Sequence, residues 1–312
     1  MTGRGYFLGV DGGGTKTEFV CIDAAGAVIA QAVTGTTYHL EIGLEGAIAR
    51  LEQGIAAICG QLDIVPDAFD FAFFGLPAFG EDSAIDPQLY AACGRLLGHD
   101  HYACGNDMVC GWAGSLGGED GINIVAGTGS IGYGERRGRA ARAGGWGEVF
   151  GDEGSAYWIA TQGLALFSRM SDGRAAKGAL YPRILEALAL KSDLDLCGRI
   201  MGPDGMRRGE IAGLASVVSR AAADGDPAAH AILDAAAREL AALAIALRDA
   251  LGFPADEEAP LSWSGGVLLH EPLVREAFVR MLAESGGFAA VAPRHAPGYG
   301  AALYARRRAL RR

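Results

Sequence analysis

Two glycine-rich turns with threonine hydroxyls are the residues of this chain whose types and spacing indicate chemistry. The first runs from Asp11 to Thr17 as DGGGTKT, and the second runs from Gly127 to Ser130 as GTGS. Each follows a short apolar run that predicts a β-strand. Consecutive glycines allow backbone N–H groups to converge on an anion, and threonine hydroxyls add further donors. The two turns therefore predict that the protein grips a phosphate chain.

Two common nucleotide motifs fit these turns poorly. A Walker A loop needs lysine directly after glycine, and here Thr15 intervenes between the glycine and the lysine. The spacing of Gly127, Gly129 and Gly132 matches the dinucleotide fingerprint, but that fingerprint requires a helix to follow. The glycine-rich, charged residues that follow predict a β-hairpin instead. The Walker reading is excluded, and a dinucleotide site is disfavoured.

Phosphoryl transfer also needs a carboxylate that accepts the proton of the attacking hydroxyl. Asp107 follows a strand-like segment, 101–106, and precedes a helical pattern. Its position alone is compatible with a general base or with a helix N-cap. Asp11 by itself needs no chemical function, because aspartate before three glycines commonly supports a turn.

The elements that must position these residues follow the same plan twice. Both halves begin with a β-meander that carries a phosphate-type turn, and helices and strands follow. The strands predicted in the first half are 6–10, 17–23, 27–33 and 70–76, with a helix over 46–61. The second half repeats the order from Gly121, with a strand over 261–264 and a last helix over 300–309. Duplication of one α/β unit explains this pattern.

Length and composition are compatible with a two-domain soluble enzyme, and the charge balance favours a small substrate. The 312 residues exceed the size at which single cores stop growing. The net charge of −10 and the pI near 5.1 disfavour a nucleic-acid partner. Apolar runs are too short for a membrane span, so no membrane partner is expected. Six scattered cysteines without CxxC spacing predict reduced thiols in the cytoplasm.

Together these residues resemble the actin-like ATPase and sugar-kinase superfamily, and within it the N-acetylglucosamine kinase and BadF/BcrA-type group. The most specific segment is 144–158, GGWGEVFGDEGSAYW, which looks like the signature of eukaryotic-type N-acetylglucosamine kinases. The resemblance implies an α/β fold with two ribonuclease-H-like domains, 1–112 and 113–312, flanking a nucleotide and sugar cleft. The last helix of such proteins often crosses back to the first domain. ATP and Mg²⁺ are the implied reactants, and an amino-sugar hydroxyl, normally at carbon 6, is the implied acceptor.

The resemblance also implies a role for individual residues. Asp107 falls on the position of the base, and Asp11 on that of the carboxylate that holds Mg²⁺. The implied nucleotide contacts are Gly12, Gly13, Gly14, Thr15, Gly127, Thr128, Ala212, Gly265 and Gly266. The implied sugar contacts are Asp107, Gly129, Ser130, Gly145, Trp146 and Asp152.

One departure from the family pattern leaves the acceptor open. The family usually carries a sugar-contacting asparagine where this chain has Tyr38, and the neighbouring His39 is a candidate polar contact. N-acetylglucosamine is the expected acceptor, with glucosamine or another hexosamine as the alternative.

Two other classes of protein use the same fold. An ATPase that activates an acyl-CoA dehydratase shares an iron–sulfur cluster across a dimer and needs suitably placed cysteines, which are not obvious here. A non-catalytic sugar sensor is disfavoured by Asp107 and both phosphate turns. The sequence leaves the oligomeric state open, with a homodimer as the default.

Overall fold

The computed structural model describes residues 5–310 and divides them into two compact α/β units. Unit 1 comprises 5–120 together with 292–310, and unit 2 comprises 121–291. Each unit contains one mixed five-stranded sheet. The predicted fold class is therefore confirmed. Within the described range, no helix combines the length and the apolar character that crossing a membrane requires.

The first part of the chain forms the sheet of unit 1 and three of its helices. Its elements are β1 (Phe7–Gly12), β2 (Lys16–Ile22), β3 (Val28–Gly35), α1 (His39–Leu62), β4 (Phe71–Leu76), α2 (Asp86–Leu97), β5 (Tyr102–Asn106) and α3 (Met108–Leu116). The strand order is β3-β2-β1-β4-β5, with β1 to β3 antiparallel and with β4 and β5 parallel to β1. The predicted opening meander is thus confirmed. The predicted domain boundary near residue 112 falls inside α3.

Helix α1 starts seven residues earlier than the apolar spacing predicts. The turn from His39 to Ile42 is helical, but Gly43 has φ 74° and interrupts the helix. A left-handed residue of this kind favours glycine. Because the kink breaks the 3.6-residue periodicity, the amphipathic pattern becomes visible only after it. Beyond the kink, α1 buries Leu51, Ile55 and Ile58 in the core of unit 1.

The elements of unit 2 follow in sequence. They are β6 (Gly121–Ala126), β7 (Ser130–Arg136), β8 (Arg139–Gly144), α4 (Ala156–Ser171), α5 (Leu180–Leu188), α6 (Asp195–Met201), α7 (Arg208–Gly213), α8 (Ala215–Ala223), α9 (Pro227–Leu251), β9 (Ala259–Ser264), α10 (Gly266–His270), α11 (Pro272–Ser285) and β10 (Phe288–Ala290). The sheet order is β8-β7-β6-β9-β10, which repeats the order of unit 1. This repeat supports the predicted duplication.

Residues that favour helix ends stand at both ends of helix α9. The side chain of Asp226 accepts hydrogen bonds from the amides of Ala228 and Ala229, and Pro227 occupies the first turn. Such a cap satisfies amides that have no partner inside the helix. The helix ends at Leu251, and Gly252 after it adopts the left-handed conformation common at helix C-termini.

The last helix, α12 (Pro297–Ala309), packs within unit 1 against β1 and α3. Two glycines allow the close approach. A Cβ atom at Gly9 of β1 would lie 2.0 Å from the Ala302 backbone nitrogen. A Cβ atom at Gly300 would lie 2.1 Å from the Gly114 nitrogen in α3. Because glycine has no Cβ atom, the backbone of α12 packs directly against the backbones of β1 and α3 at these points.

Candidate functional site

The first phosphate turn connects β1 and β2 in unit 1. The amide of Gly13 donates to the Lys16 carbonyl over 2.9 Å and closes the turn. Gly12 is enclosed, because a Cβ atom there would lie 2.6 Å from the Thr37 Oγ1. Gly14 and Thr15 are exposed, and a Cβ at Gly14 would meet no described atom within 4 Å. The turn therefore has a packed inner side and an open outer side that a phosphate can approach.

Asp11 and Asp107 lie near the carboxyl ends of two strands that flank β4. In the sheet register, Asp11 of β1 pairs with Gly75 of β4, which pairs with Gly105 of β5. A Cβ at Gly75 would lie 3.3 Å from the Asp107 Cα and 2.1 Å from the Cys110 Sγ. Ligand sites in α/β sheets form at the carboxyl ends of strands. The fold thus brings the predicted metal ligand and the predicted base to one edge.

The environment of Asp11 opposes a lone negative charge. Burial, then the carboxylate of Asp107, then that of Glu18 raise the pKa of Asp11 from 3.8 to about 7. A hydrogen bond from Cys110 and the charge of Lys16 oppose this rise. A divalent cation near Asp11 would relieve the repulsion among these carboxylates.

This donor set fits Mg²⁺ better than a closed structural metal site. Among residues 5–310, no group of three or more His, Cys, Asp or Glu side chains is arranged to hold a metal ion. Mg²⁺ usually keeps several waters and binds through one or two carboxylates plus substrate phosphates. Asp11 beside the open phosphate turn offers that combination.

Asp107 occupies the N-cap position of α3, but its side chain makes no capping hydrogen bond to the described amides of that helix. Its φ and ψ of −60° and −22° are already helical, unlike those of a usual N-cap. Asp107 thus stands at the start of α3 without capping it through its side chain. The base role remains a prediction.

The segment that contains Tyr38 packs onto the first phosphate turn. The Thr36 hydroxyl donates to the Gly13 carbonyl over 2.7 Å and accepts from the Tyr38 amide over 2.9 Å. His39 is only 6% exposed, and neither ring nitrogen has a hydrogen-bond partner among the described residues. Buried polar atoms without partners are costly, so this segment suits a polar ligand.

The second phosphate turn connects β6 and β7 in unit 2. The Gly127 amide donates to the Gly129 carbonyl over 2.9 Å. The carbonyls of Gly127 and Thr128 accept from the amides of Ala156 and Tyr157, at the start of α4. A strand follows the turn, which confirms that the GxGxxG spacing here is not a dinucleotide fingerprint.

A cavity of about 580 Å³ opens from this turn, within the range of roughly 300–1,000 Å³ usual for small-molecule sites. It is lined by four of the predicted nucleotide contacts, Gly127, Thr128, Ala212 and Gly266. Gly265 supports the cavity from outside, since its φ is 88° and a Cβ there would lie 2.4 Å from the Ala126 carbonyl oxygen. Only glycine satisfies both conditions.

The predicted sugar carboxylate, Asp152, lies beside the second phosphate turn. It is 4% exposed, and a Cβ atom at Gly129 would lie 2.7 Å from its Oδ2. Asp152 has φ 56°, a conformation that is uncommon for residues other than glycine and that clusters at functional sites. The Ser130 hydroxyl donates to the Glu153 carbonyl over 2.6 Å. These residues form one compact group at the start of β7.

Gly145 and Trp146 belong to a neighbouring loop that folds back on itself. A Cβ at Gly151 would lie 2.9 Å from the Trp146 Cβ, which brings Trp146 close to the residue before Asp152. Trp146 is 71% exposed, so it does not belong to the core. The guanidinium of Arg142 lies 6.0 Å from its ring centroid. A sugar contact by Trp146 remains a prediction.

Sequence reasoning missed several polar residues of unit 2. Ser216 and Ser219, His270 and Glu271 line the cavity. The two serines stand three residues apart on α8, a spacing that places them on one helix face and that the sequence displays. Arg208 of α7 was missed as well, and its ion pair with Asp152 links residues 56 positions apart.

Within residues 5–310, the cysteines are not grouped with two or more further His, Cys, Asp or Glu ligands as a metal site would require. All six are free thiols; four are buried, Cys104 is partly buried, and Cys197 is the one that is exposed in the described range. Burial raises the pKa of Cys110 well above its ordinary value, and the charges of Asp11 and Asp107 add to the effect. Thiolate ligands for a shared cluster would have to be accessible and readily ionised.

The doubled sheet order and the two glycine-threonine turns define the class of this protein, an actin-like ATPase fold. A solved structure of a candidate N-acetylglucosamine kinase from Chromobacterium violaceum matches it with a TM-score of 0.71 and 26% identity, over 96% of this chain and 98% of that chain. Residues 8–305 match the BadF/BadG/BcrA/BcrD ATPase family, and the chain belongs to that family.

Two relatives of known name resemble the chain over most of its length. The N-acetylmuramic acid/N-acetylglucosamine kinase of Clostridium acetobutylicum is 32% identical over 89% of this chain and 90% of that protein. The N-acetyl-D-glucosamine kinase of Dictyostelium discoideum is 29% identical, with the same coverage of both chains. The resemblance drawn from the sequence motifs is thus confirmed.

Proposed function

We propose that this protein is an ATP-dependent kinase that phosphorylates an amino sugar, with N-acetylglucosamine and its carbon-6 hydroxyl as the acceptor. One observation carries the proposal: the second phosphate turn has two neighbours within unit 2. Gly127 and Thr128 line the nucleotide-sized cavity, and Gly129 lies against the buried carboxylate of Asp152. A phosphoryl donor and a group that binds vicinal hydroxyls thus share one turn.

The relatives support this choice of acceptor. Two of them, each matched over about nine-tenths of its length, are kinases named for N-acetylglucosamine. One is also named for N-acetylmuramic acid, which makes that sugar a competing acceptor. The unpartnered nitrogens of His39, next to Tyr38, suit a polar substituent of such a sugar.

In the proposed reaction, the second phosphate turn binds phosphates of ATP, and the cavity beside that turn holds the adenosine. The sugar hydroxyl oxygen forms a bond to the terminal phosphorus of ATP, and the bond from that phosphorus to the bridging oxygen breaks. Asp107 accepts the hydroxyl proton, and ADP leaves. Positioning and charge neutralisation supply most of the catalysis in such transfers.

Mg²⁺ is the cation we infer for this reaction, with Asp11 holding it through water. When bound, the ion neutralises charge on the phosphates. The carboxylates of Asp107 and Glu18 beside Asp11 support the inference, because they make a cation favourable there.

The six free thiols support a reducing, cytoplasmic setting for the enzyme.

The first experiment measures ADP release from MgATP with N-acetylglucosamine, glucosamine, N-acetylmannosamine, glucose, N-acetylmuramic acid or no sugar. We expect strong stimulation by N-acetylglucosamine and a product phosphorylated at carbon 6 by mass spectrometry and NMR. Greater stimulation by glucosamine would correct the acceptor and keep the kinase. Turnover independent of every sugar would overturn the proposal and favour the activator class.

A further inference from the structure

Arg208 connects the second phosphate turn with the predicted acceptor site. Its Nη2 donates to Oδ2 of Asp152, and its Nε lies 3.2 Å from Oε2 of Glu148. A Cβ atom at Gly129 would lie 2.9 Å from the same Nη2. The guanidinium therefore touches the carboxylate, the turn and a second acidic side chain at once.

Asp152 depends on such a partner, because its position is unfavourable for a charge. Its side chain is buried and its backbone has a positive φ, and burial raises its pKa above the ordinary value. The charge of Arg208, the Ser130 amide and the Arg208 hydrogen bond lower that pKa, whereas the charge of Glu148 raises it. Only the ionised carboxylate accepts hydrogen bonds with both oxygens, as vicinal hydroxyls require.

We propose that Arg208 is a positioning residue of the acceptor site, which holds the Asp152 carboxylate beside Gly129 as an ionised acceptor for two sugar hydroxyls. The inference rests on the proposed sugar-kinase function. An arginine suits the task, since its planar fork reaches two carboxylates simultaneously and always carries its charge. Lysine would retain the charge and lose the fork.

Direct contact of Arg208 with the transferred phosphate is the competing role, and steady-state kinetics distinguish the two. A phosphate contact would act on the KM for ATP or on kcat. A residue that acts through Asp152 acts on the KM for the sugar and makes that KM depend on pH. Three groups face Asp152: Arg208 from α7, Glu148 from the preceding loop and the Ser130 amide. Arg208 is the one cation among them, so none of the others replaces its positive charge when Arg208 is substituted.

The test compares Arg208→Gln and Arg208→Lys with the wild-type enzyme between about pH 6 and pH 9, using the acceptor identified by the sugar panel. Without Arg208, the pKa of Asp152 rises, and protonation removes the acceptor at low pH. We expect Arg208→Gln to raise the sugar KM roughly tenfold or more near pH 7, with recovery as the pH rises. Arg208→Lys should show a smaller increase, and the KM for ATP should change less than about twofold for both.

Two comparisons complete the design. Arg174→Gln removes an arginine from an exposed ion pair with Asp172 and should leave both KM values unchanged. In an Asp152→Asn background, Arg208→Gln should add little further loss and no pH dependence, because the coupled partner is already gone.

The outcomes separate this inference from the proposed function. If the wild-type enzyme shows no sugar-stimulated turnover, the proposed function fails first. If the wild-type enzyme is active and Arg208→Gln leaves the sugar KM and its pH profile unchanged, Arg208 does not position Asp152. An effect confined to kcat or to the KM for ATP would likewise overturn the inference, in favour of a phosphate contact.

Discussion

Asp107 follows β5 directly and is partly buried at the strand end, beside Asp11. Asp107→Asn should lower kcat by roughly 10²–10⁴-fold, the usual contribution of a general base. The KM values for ATP and sugar should change little, because an amide of the same shape still makes hydrogen bonds. Steady-state ADP release measures both quantities.

Asp100→Asn is the matched control for this variant, since it changes an aspartate of the same unit whose side chain is 94% exposed. It should keep wild-type turnover. Asp107→Asn should not reduce the free energy of unfolding, because the substitution removes repulsion with Asp11. Unchanged kcat in Asp107→Asn would remove this residue as the base.

Asp11 carries a prediction about stability and pH. Its pKa is about 7 in the folded state against an ordinary value of 3.8, so the folded chain keeps a proton that the unfolded chain releases between these values. The free energy of unfolding contributed by this group therefore falls as pH rises through that interval. Asp11→Asn removes the effect and should stabilise the metal-free protein by about 2–4 kcal/mol at pH 8, and by much less near pH 4.

Urea unfolding of wild type and Asp11→Asn over this pH range, without nucleotide or divalent cation, measures the difference. Parallel stability curves for the two proteins would show that Asp11 titrates normally. The same variant should lose activation by Mg²⁺ if Asp11 holds the ion.

At the scale of elements, the contact of α12 with α3 depends on two backbones that meet at Gly300 and Gly114. A methyl group at Gly300 would overlap backbone atoms, which side-chain motion cannot relieve. Gly300→Ala should lower the free energy of unfolding by about 1–3 kcal/mol, in spite of the better helix propensity of alanine.

Gly60→Ala, in the same unit, should change the free energy of unfolding in the opposite direction. Gly60 lies inside α1, and a Cβ there would meet no described atom within 4 Å. Alanine should raise the free energy of unfolding by roughly 0.5–1 kcal/mol at this position. Equal effects of the two substitutions in chemical denaturation would show that the packing at Gly300 is unimportant.

At the scale of the whole molecule, unit 1 is assembled from two distant parts of the chain, whereas unit 2 is continuous. A chain that ends at Val291 lacks α12, so the faces of β1 and α3 that it covers would meet water. We expect unit 1 to lose its cooperative unfolding, while unit 2 keeps its sheet and core. Limited proteolysis with mass spectrometry should show cleavage throughout 5–120 and protection within 121–291. Equal protection of both segments would contradict this.

The sequence by itself determined the features that depend on neighbouring residues. Both phosphate turns, the opening meander and the strand after Gly129 follow from glycine runs and from two-residue alternation, which are local properties. The repeated order of elements predicted the duplicated fold, because each half must bury its own apolar faces. Motif resemblance supplied the family, which the comparisons with relatives confirmed.

Tertiary structure alone decided which distant residues meet and how charges behave there. Arg208 reaches Asp152 across 56 positions, and the segment after residue 291 completes unit 1, because packing of whole elements sets these contacts. The raised pKa of Asp11 likewise results from burial and from the carboxylates of Asp107 and Glu18. Sequence spacing carries no information on burial of this kind, since water is excluded only when the sheets and helices have assembled.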